Sequence, residues 1–301
     1  MEDIVIIGGG PAGLTAAIYV QRAGNHAVVY EGNAPGGQIL AASVVVNYPA
    51  IKSISGAEYS QNLYEQAVAL GAEVRFEKVF GLEVNGNIKI IKTDSGDVEA
   101  KAVILATGAS NRKLGVEKEA DFIGKGVSYC ATCDGAFYKG KNVAVSGGGN
   151  TALEDAIYLS NYCNKVYLIH RRNELRGEKV LADELKAKKN VEFVLEANVT
   201  KLLGTEKLEG VEVTKLDGTK LTLDVNGLFI AIGQVPGNGA FSNIINLDDY
   251  GYIVAGEDCK TNVDGVYVAG DARVKSVRQL TTACADGTVA AMAALSYIRN
   301  I

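Results

Sequence analysis

The chain has 301 residues, 48% of them hydrophobic and 22% charged, with a formal net charge of −5. That length suggests about two domains at roughly 150 residues each, every one able to bury a core. The charge balance excludes a basic nucleic-acid or anionic-membrane binder, and no apolar run approaches the ~18–20 residues that span a bilayer. Residues 4–7 are already strand-like, with no basic-then-apolar leader before them, so a cytoplasmic protein is expected. Glycine is abundant (35) and proline scarce (4), which fits tight turns between regular elements. Five cysteines argue against a secreted disulfide framework.

Residues 4–7 (Ile-Val-Ile-Ile) form a continuous apolar run, as in a parallel strand buried on both faces. Gly8-Gly9-Gly10-Pro11-Ala12-Gly13 follows, then a helical pattern over residues 14–23 closed by Gly24, then a strand over 27–30 that ends at Glu31. This is the dinucleotide fingerprint. Gly8 permits the tight turn, Gly10 lets backbone approach a pyrophosphate, and Gly13 lets helix and strand pack closely. Glu31 lies 31 − 8 = 23 residues past the first glycine. A carboxylate there accepts hydrogen bonds from ribose hydroxyls and repels a 2′-phosphate, so FAD or NAD is expected over NADP. Gly36-Gly37-Gln38 and Val46-Asn47-Tyr48-Pro49 read as loops before a helix over 57–70. Residues 73–101 read as an antiparallel excursion with turns at Asn85-Gly86-Asn87 and Asp94-Ser95-Gly96. Residues 102–106 are a further buried strand, stopping at Thr107-Gly108, small residues suited to a ligand at the carboxyl edge of a parallel sheet.

Cys130-Ala131-Thr132-Cys133-Asp134-Gly135 comes next. In a reducing compartment a single Cys-x-x-Cys points to redox catalysis or metal binding. Zinc fails on count: a structural site takes four ligands, and the chain offers only His26 and His170 besides scattered cysteines 163, 259 and 284, which read as small buried residues. No metal is expected.

The first pattern then repeats. A strand over 141–146 leads into Gly147-Gly148-Gly149-Asn150-Thr151-Ala152, a helix over 153–161 and a strand over 165–169. The position 170 − 147 = 23 residues past the first glycine reads His170-Arg171-Arg172, with Arg176 a turn later. Guanidinium forks there suit a 2′-phosphate, so this half is expected to take NADPH; the plainer alternative is a basic helix entrance on a solvated face. Residues 191–224 read as a second antiparallel excursion, and a strand over 227–231 ends at Ile232-Gly233, the counterpart of Thr107-Gly108. About sixty residues remain. Residues 265–271 form a strand ending in Gly270-Asp271, and Arg278-Gln279-Leu280 opens an alanine-rich helix over 282–297. Asp271 is placed to accept a hydrogen bond from a ribityl hydroxyl, with the helix N-terminus toward the flavin edge; the bland alternative is a helix-entrance acid. The tail would then complete the first domain, with crossover strands near 110–115 and 238–241.

Taken in order, these motifs resemble the low-molecular-weight thioredoxin reductases over essentially the full chain. The resemblance implies an α/β fold of two Rossmann-like, three-layer ββα domains: an FAD domain split between 1–113 and 241–301, and an NADPH domain inserted at 114–240. It implies a homodimer, electrons passing from NADPH through FAD to a Cys130/Cys133 disulfide and then to thioredoxin, and a domain rotation between the half-reactions. Cys133 is then the flavin-side thiol, Cys130 the interchange thiol, and Asp134 a proton shuttle whose burial should raise its pKa. The implied flavin contacts are Gly37, Gln38, Asn47, Thr107, Gly108, Asp271, Arg278, Gln279 and Leu280, besides Gly8, Gly10, Pro11, Ala12, Gly13 and Glu31. The implied NADPH contacts are Gly147, Gly149, Asn150, Thr151, His170, Arg171, Arg172 and Arg176. One departure is Gln234-Val235-Pro236-Gly237-Asn238, where many relatives have His-x-Pro-Asn. Competing readings keep the flavin and dithiol with another acceptor or a ferredoxin donor, or treat the dithiol as a sensor switch. The arginines argue against ferredoxin, and the sensor leaves a second nucleotide site unexplained.

Overall fold

The computed structural model describes residues 1–301. The elements, in chain order, are β1 (Glu2–Ile7), α1 (Pro11–Arg22), β2 (Ala27–Tyr30), α2 (Gly56–Ala69), β3 (Glu73–Arg75), β4 (Val79–Asn85), β5 (Ile88–Thr93), β6 (Gly96–Leu105) and β7 (Ala109–Asn111). Then come β8 (Val127–Ser128), α3 (Ala131–Asp134), β9 (Asn142–Ser146), α4 (Asn150–Ser160), β10 (Lys165–His170), α5 (Lys179–Lys186), β11 (Val191–Leu195), β12 (Ala197–Leu203), β13 (Gly210–Lys215), β14 (Lys220–Leu223) and β15 (Gly227–Ile230). The chain ends with β16 (Gln234–Pro236), β17 (Val266–Val268) and α6 (Leu280–Ile298). It divides into two compact units, residues 1–110 with 235–301, and residues 111–234. The crossings therefore fall at 110/111 and 234/235, on β7 and β16, which pair as a two-stranded ribbon. The compact unit begins at 235 where the sequence placed the boundary at 240/241, and Asn238, between the two, is fully buried.

The first unit is built on one seven-stranded sheet, ordered β3-β2-β1-β6-β5-β4 with β17 also on β6. Its parallel strands run β3, β2, β1, β6 and β17, while β4, β5 and the first half of β6 form an antiparallel meander. Two expectations change here. Glu73–Arg75 belongs to the parallel edge rather than to the antiparallel excursion. The buried strand ending near Ala106 is the second half of the ten-residue β6, not a separate element. Successive side chains of a strand point to opposite faces. Ile4 and Ile6 accordingly pack under α1 and α6 with Leu14, Ala290 and Leu295. Val5 and Ile7 face the other way, onto Leu82, Ile91, Phe241 and Ile253. Burial of each such side chain stabilises the fold by about 1.5–3 kcal/mol.

The second unit repeats the plan with a five-stranded parallel sheet, β11-β10-β9-β15-β8. Val191–Leu195 again joins the parallel sheet, so the antiparallel excursion begins only at Ala197. One face packs on the antiparallel sheet β12-β13-β14 through Ile169, Leu228, Val211 and Val213. The other packs on α4 and α5 through Val143, Val145, Leu153 and Leu185, and Ala131 of α3 joins this layer. Each unit thus has three layers around a parallel sheet.

Candidate active site and nucleotide loops

In the first unit Gly8 has φ +112, a left-handed conformation that favours glycine, and a Cβ on it would strike the Ala106 carbonyl at the end of β6. A Cβ on Gly13 would strike the Gly8 carbonyl, so the loop and α1 touch backbone to backbone. Pro11 opens α1, where a missing N–H costs nothing. Glu31 does two things at once. Its Oε2 accepts from Gly9 N at 2.7 Å and its Oε1 accepts from Asn33 N at 2.8 Å. Each oxygen keeps a lone pair for a ribose hydroxyl.

The predicted flavin segments converge on this loop's side of the unit. Gly36 N donates to Gly9 O, and Gln38 Nε2 donates to Ala109 O at 2.9 Å. Asn47 Nδ2 reaches Gln279 Oε1 at 3.3 Å across 232 residues of sequence. Gln279 caps α6 in a reciprocal box with Thr282, so the helix begins at Leu280 rather than 282. Arg278 lies with its guanidinium 4.2 Å from the Tyr252 ring centroid. The strand before Asp271 stops at Val268, and Gly270–Ala272 is a single 3-10 turn. Asp271 Oδ1 and Arg278 Nε are buried without a hydrogen-bond partner. Burial raises the Asp271 pKa, opposed by the charges of Lys275 and Arg278. A buried acceptor aimed at nothing in the chain fits a ligand hydroxyl. Thr107 differs: its hydroxyl donates to Asn238 Oδ1 at 2.7 Å.

Sequence reasoning missed the residues that hold this segment. Asn238 is fully buried and its Nδ2 donates to the Gly251 and Ala272 carbonyls, at 2.9 and 2.8 Å. Asp286 Oδ2 accepts from Gly270 N at 3.1 Å, Arg273 Nε at 2.9 Å and Lys275 Nζ at 2.8 Å. Asp271 is therefore pinned on both sides. The available signal was a lone acid inside the alanine-rich run of α6.

In the second unit Cys130 and Cys133 are joined by a disulfide, with Cα atoms 5.3 Å apart, on the first turn of the short α3. Ser128, at the end of β8, organises the motif. Its Oγ donates to Asp134 Oδ2 at 2.6 Å and accepts from Cys130 N at 3.1 Å. Burial raises the Asp134 pKa, and the Ser128 hydrogen bond works against that rise. Asp134 thus retains a proton to higher pH than an ordinary aspartate. Of the other cysteines, 163 and 259 are buried, with thiols pushed up to about 11 and about 12, while Cys284 is half-buried with Sγ 3.4 Å from Tyr59 Oη.

The second glycine loop copies the first: a Cβ on Gly147 would strike the Ala231 carbonyl, as one on Gly8 strikes Ala106. Gly149 caps α4, and Asn150 and Thr151 open it. Arg171, Arg172 and Arg176 are all exposed. His170 is 7% exposed, and its ring lies where a Gly148 side chain would be. Its pKa is lowered, first by burial and then by the charges of the three arginines, so the ring is neutral near pH 7. The cationic charge at this strand end therefore resides in the arginines and not in His170.

No helix is long and apolar enough to cross a membrane. The profile of the pyridine nucleotide-disulphide oxidoreductases matches residues 2–287. The chain is 40% identical to a thioredoxin reductase of Listeria monocytogenes, covering 99% of this chain and 94% of the relative. It is 43% identical to one of Mycoplasma genitalium, covering 96% and 93%. The crystal structure of thioredoxin reductase from Streptococcus pyogenes superposes with a TM-score of 0.96 at 37% identity, covering 100% and 99%. With the dithiol and both glycine loops in place, the chain belongs to the pyridine nucleotide-disulphide oxidoreductase family, among its thioredoxin reductases.

Proposed function

We propose that this chain is a thioredoxin-disulfide reductase that uses NADPH and FAD, and that the Cys130–Cys133 disulfide beside the half-buried Asp134 is its working centre. The disulfide and its acid carry the reading. Residues 1–110 with 235–301 are the FAD domain, held through the Gly8–Gly13 loop, Glu31, Asp271 and the start of α6. Residues 111–234 are the NADPH domain, with Arg171, Arg172 and Arg176 on the 2′-phosphate. Bound together, nicotinamide and flavin supply a two-electron transfer.

The disulfide takes up two electrons and its S–S bond breaks to leave a Cys130 thiolate and a Cys133 thiol, the one proton coming from Asp134. The Cys130 thiolate then attacks one sulfur of the thioredoxin disulfide, and the other thioredoxin sulfur leaves and is protonated. Cys133 returns its proton to Asp134 and attacks Cys130 Sγ, which re-forms the internal disulfide and releases the second thioredoxin sulfur, protonated from solvent. Two protons and two electrons thus pass to the acceptor. Ser128 holds Asp134 toward the motif and keeps its proton transferable. The resemblance adds that the domains rotate between half-reactions and that two copies form a homodimer; the sequence reading adds a cytoplasmic location.

The test is direct. Purified protein should be yellow with bound FAD, and NADPH should be consumed on adding an oxidised thioredoxin, with little turnover on NADH. Colourless protein that cannot be loaded with FAD, or FAD reduced by neither nucleotide, would overturn the reading.

A further inference from the structure

The turn that carries the arginines is fastened to the second glycine loop. Arg176 N and Gly177 N both donate to Gly148 O, at 2.6 and 3.0 Å. Glu178 N donates to Asn150 Oδ1 at 2.7 Å, and Asn150 Nδ2 donates back to Glu178 Oε1 at 3.1 Å. Gly177 is squeezed so closely against α4 that a Cβ there would strike Leu153 and lie 3.0 Å from Asn150 Oδ1. At the other end of the turn Glu196 N donates to Arg172 O at 3.2 Å.

These contacts solve an electrostatic problem. The fields of Arg171, Arg172 and Arg176 overlap at His170, and none of the three guanidinium groups has an ion-pair partner. Left to itself, a turn bearing three like charges splays apart to separate them. The backbone fastening keeps them together without a carboxylate that would compete with an incoming anion. Asn150 supplies the side-chain part of that fastening.

We propose that Asn150 is a positioning residue for nucleotide specificity: paired with Glu178, its amide latches the arginine turn to the glycine loop and so holds Arg176 in register with a 2′-phosphate. The inference deepens the NADPH reading and rests on it. Asn150 then acts through Arg176 rather than through its own side chain on the nucleotide.

The test compares 2′,5′-ADP with 5′-AMP by calorimetry on the FAD-loaded enzyme, and NADPH with NADH by kcat/KM. Asn150→Ala should weaken 2′,5′-ADP about tenfold, a loss the size of one hydrogen bond to a charged group, while 5′-AMP changes less than about twofold; the NADPH/NADH preference falls in parallel. Glu178→Gln keeps the Oε1 acceptor and should hold the wild-type preference. Glu178→Ala should lose about two- to threefold relative to Glu178→Gln, a comparison that separates the latch from the charge and decides the question should Asn150→Ala not fold. Equal weakening of both ligands, or an unchanged preference in Asn150→Ala with Glu178→Ala matching Glu178→Gln, overturns the latch. The parent reading fails differently: wild-type protein would then bind 2′,5′-ADP no better than 5′-AMP.

Discussion

Asp286→Ala should be among the most damaging substitutions in the first unit, although Asp286 touches no predicted cofactor contact with its own side chain. The carboxylate is 7% exposed and neutralises two cations that are themselves almost out of water, Arg273 at 3% and Lys275 at 5%. It makes a two-point bond with Arg273, at 2.9 and 3.0 Å, besides its bonds to Lys275 and Gly270 N. Without it, Arg273 keeps only Val274 O and Glu257, and Lys275 keeps only Thr282 O. Glu257 is 93% exposed and offers a screened charge. Stranding a buried partner costs about 3–5 kcal/mol, against about 0–1 kcal/mol for an exposed pair. Asp286→Ala should therefore cost several times more than Glu257→Ala in chemical denaturation, and FAD should dissociate more readily because Gly270 beside Asp271 is released. Replacing Arg273, Lys275 and Asp286 together by apolar residues of similar volume should recover much of the stability, since the desolvation penalty vanishes with the charges. Burial would raise the Asp286 pKa, but the bonds to Arg273 and Lys275 win and hold it below the usual carboxylate value. A depressed folded pKa gives stability that is complete above the unfolded value of about 3.9 and is lost as pH falls through the folded one. The gap between wild type and Asp286→Asn should accordingly persist at neutral pH and close only in strong acid. Should Asp286→Ala prove no costlier than Glu257→Ala, the buried-charge argument is wrong.

Three further outcomes are expected. Cys130→Ser should abolish turnover of disulfide substrates while NADPH still bleaches the flavin absorbance in a single-turnover experiment; loss of flavin reduction instead would contradict the assigned sulfur roles. Ser128→Ala removes the hydrogen bond that opposes the raised Asp134 pKa, so the pH profile of dithiol exchange should move to higher pH, and movement to lower pH would reverse the sign of the argument. Asn238→Ala strands the half-buried Gly251 carbonyl and Thr107 hydroxyl; at up to about 1–3 kcal/mol for each group left unsatisfied, it should lower the denaturation midpoint measurably more than substitution of exposed Asn33.

What the sequence revealed and what it concealed divide along contact range. The Gly8–Gly13 loop was legible because its parts lie within one turn of each other and impose fixed residue types. The dithiol was legible because Cys-x-x-Cys followed by Asp is local. Asn238, Arg273 and Asp286 were not, because Asn238 depends on partners 131 and 34 residues away, and Arg273 and Asp286 on each other across 13, which only the folded chain brings together. Strands β3 and β11 were assigned to antiparallel excursions for a related reason. Three to five residues carry too little periodicity to announce whether the neighbour runs parallel. Ser128 was missed because a single serine six residues before an acid is no pattern, yet its position at the end of β8 fixes its hydrogen bonds to Asp134 and to Cys130 N.

The repeat itself becomes sharper once the two loops are compared atom by atom. Gly9 is met by Glu31 and Gly148 is met by His170, each pair 22 residues apart (31 − 9 and 170 − 148). The same contact is made by an anionic acceptor in one copy and by a neutral ring in the other. On the proposed reading, the residue at this position in the first copy also binds ribose. In the second the buried His170 ring packs against Gly148, and the proposed 2′-phosphate contacts lie one to six residues onward, at Arg171, Arg172 and Arg176. A carboxylate at position 170 would lie beside those arginines and occupy them as an ion pair; an imidazole kept neutral by burial does not. Exchange of His170 for Glu should thus weaken 2′-phosphate selectivity even with all three arginines intact, because the change acts on the charge the arginines have free to offer rather than on their number.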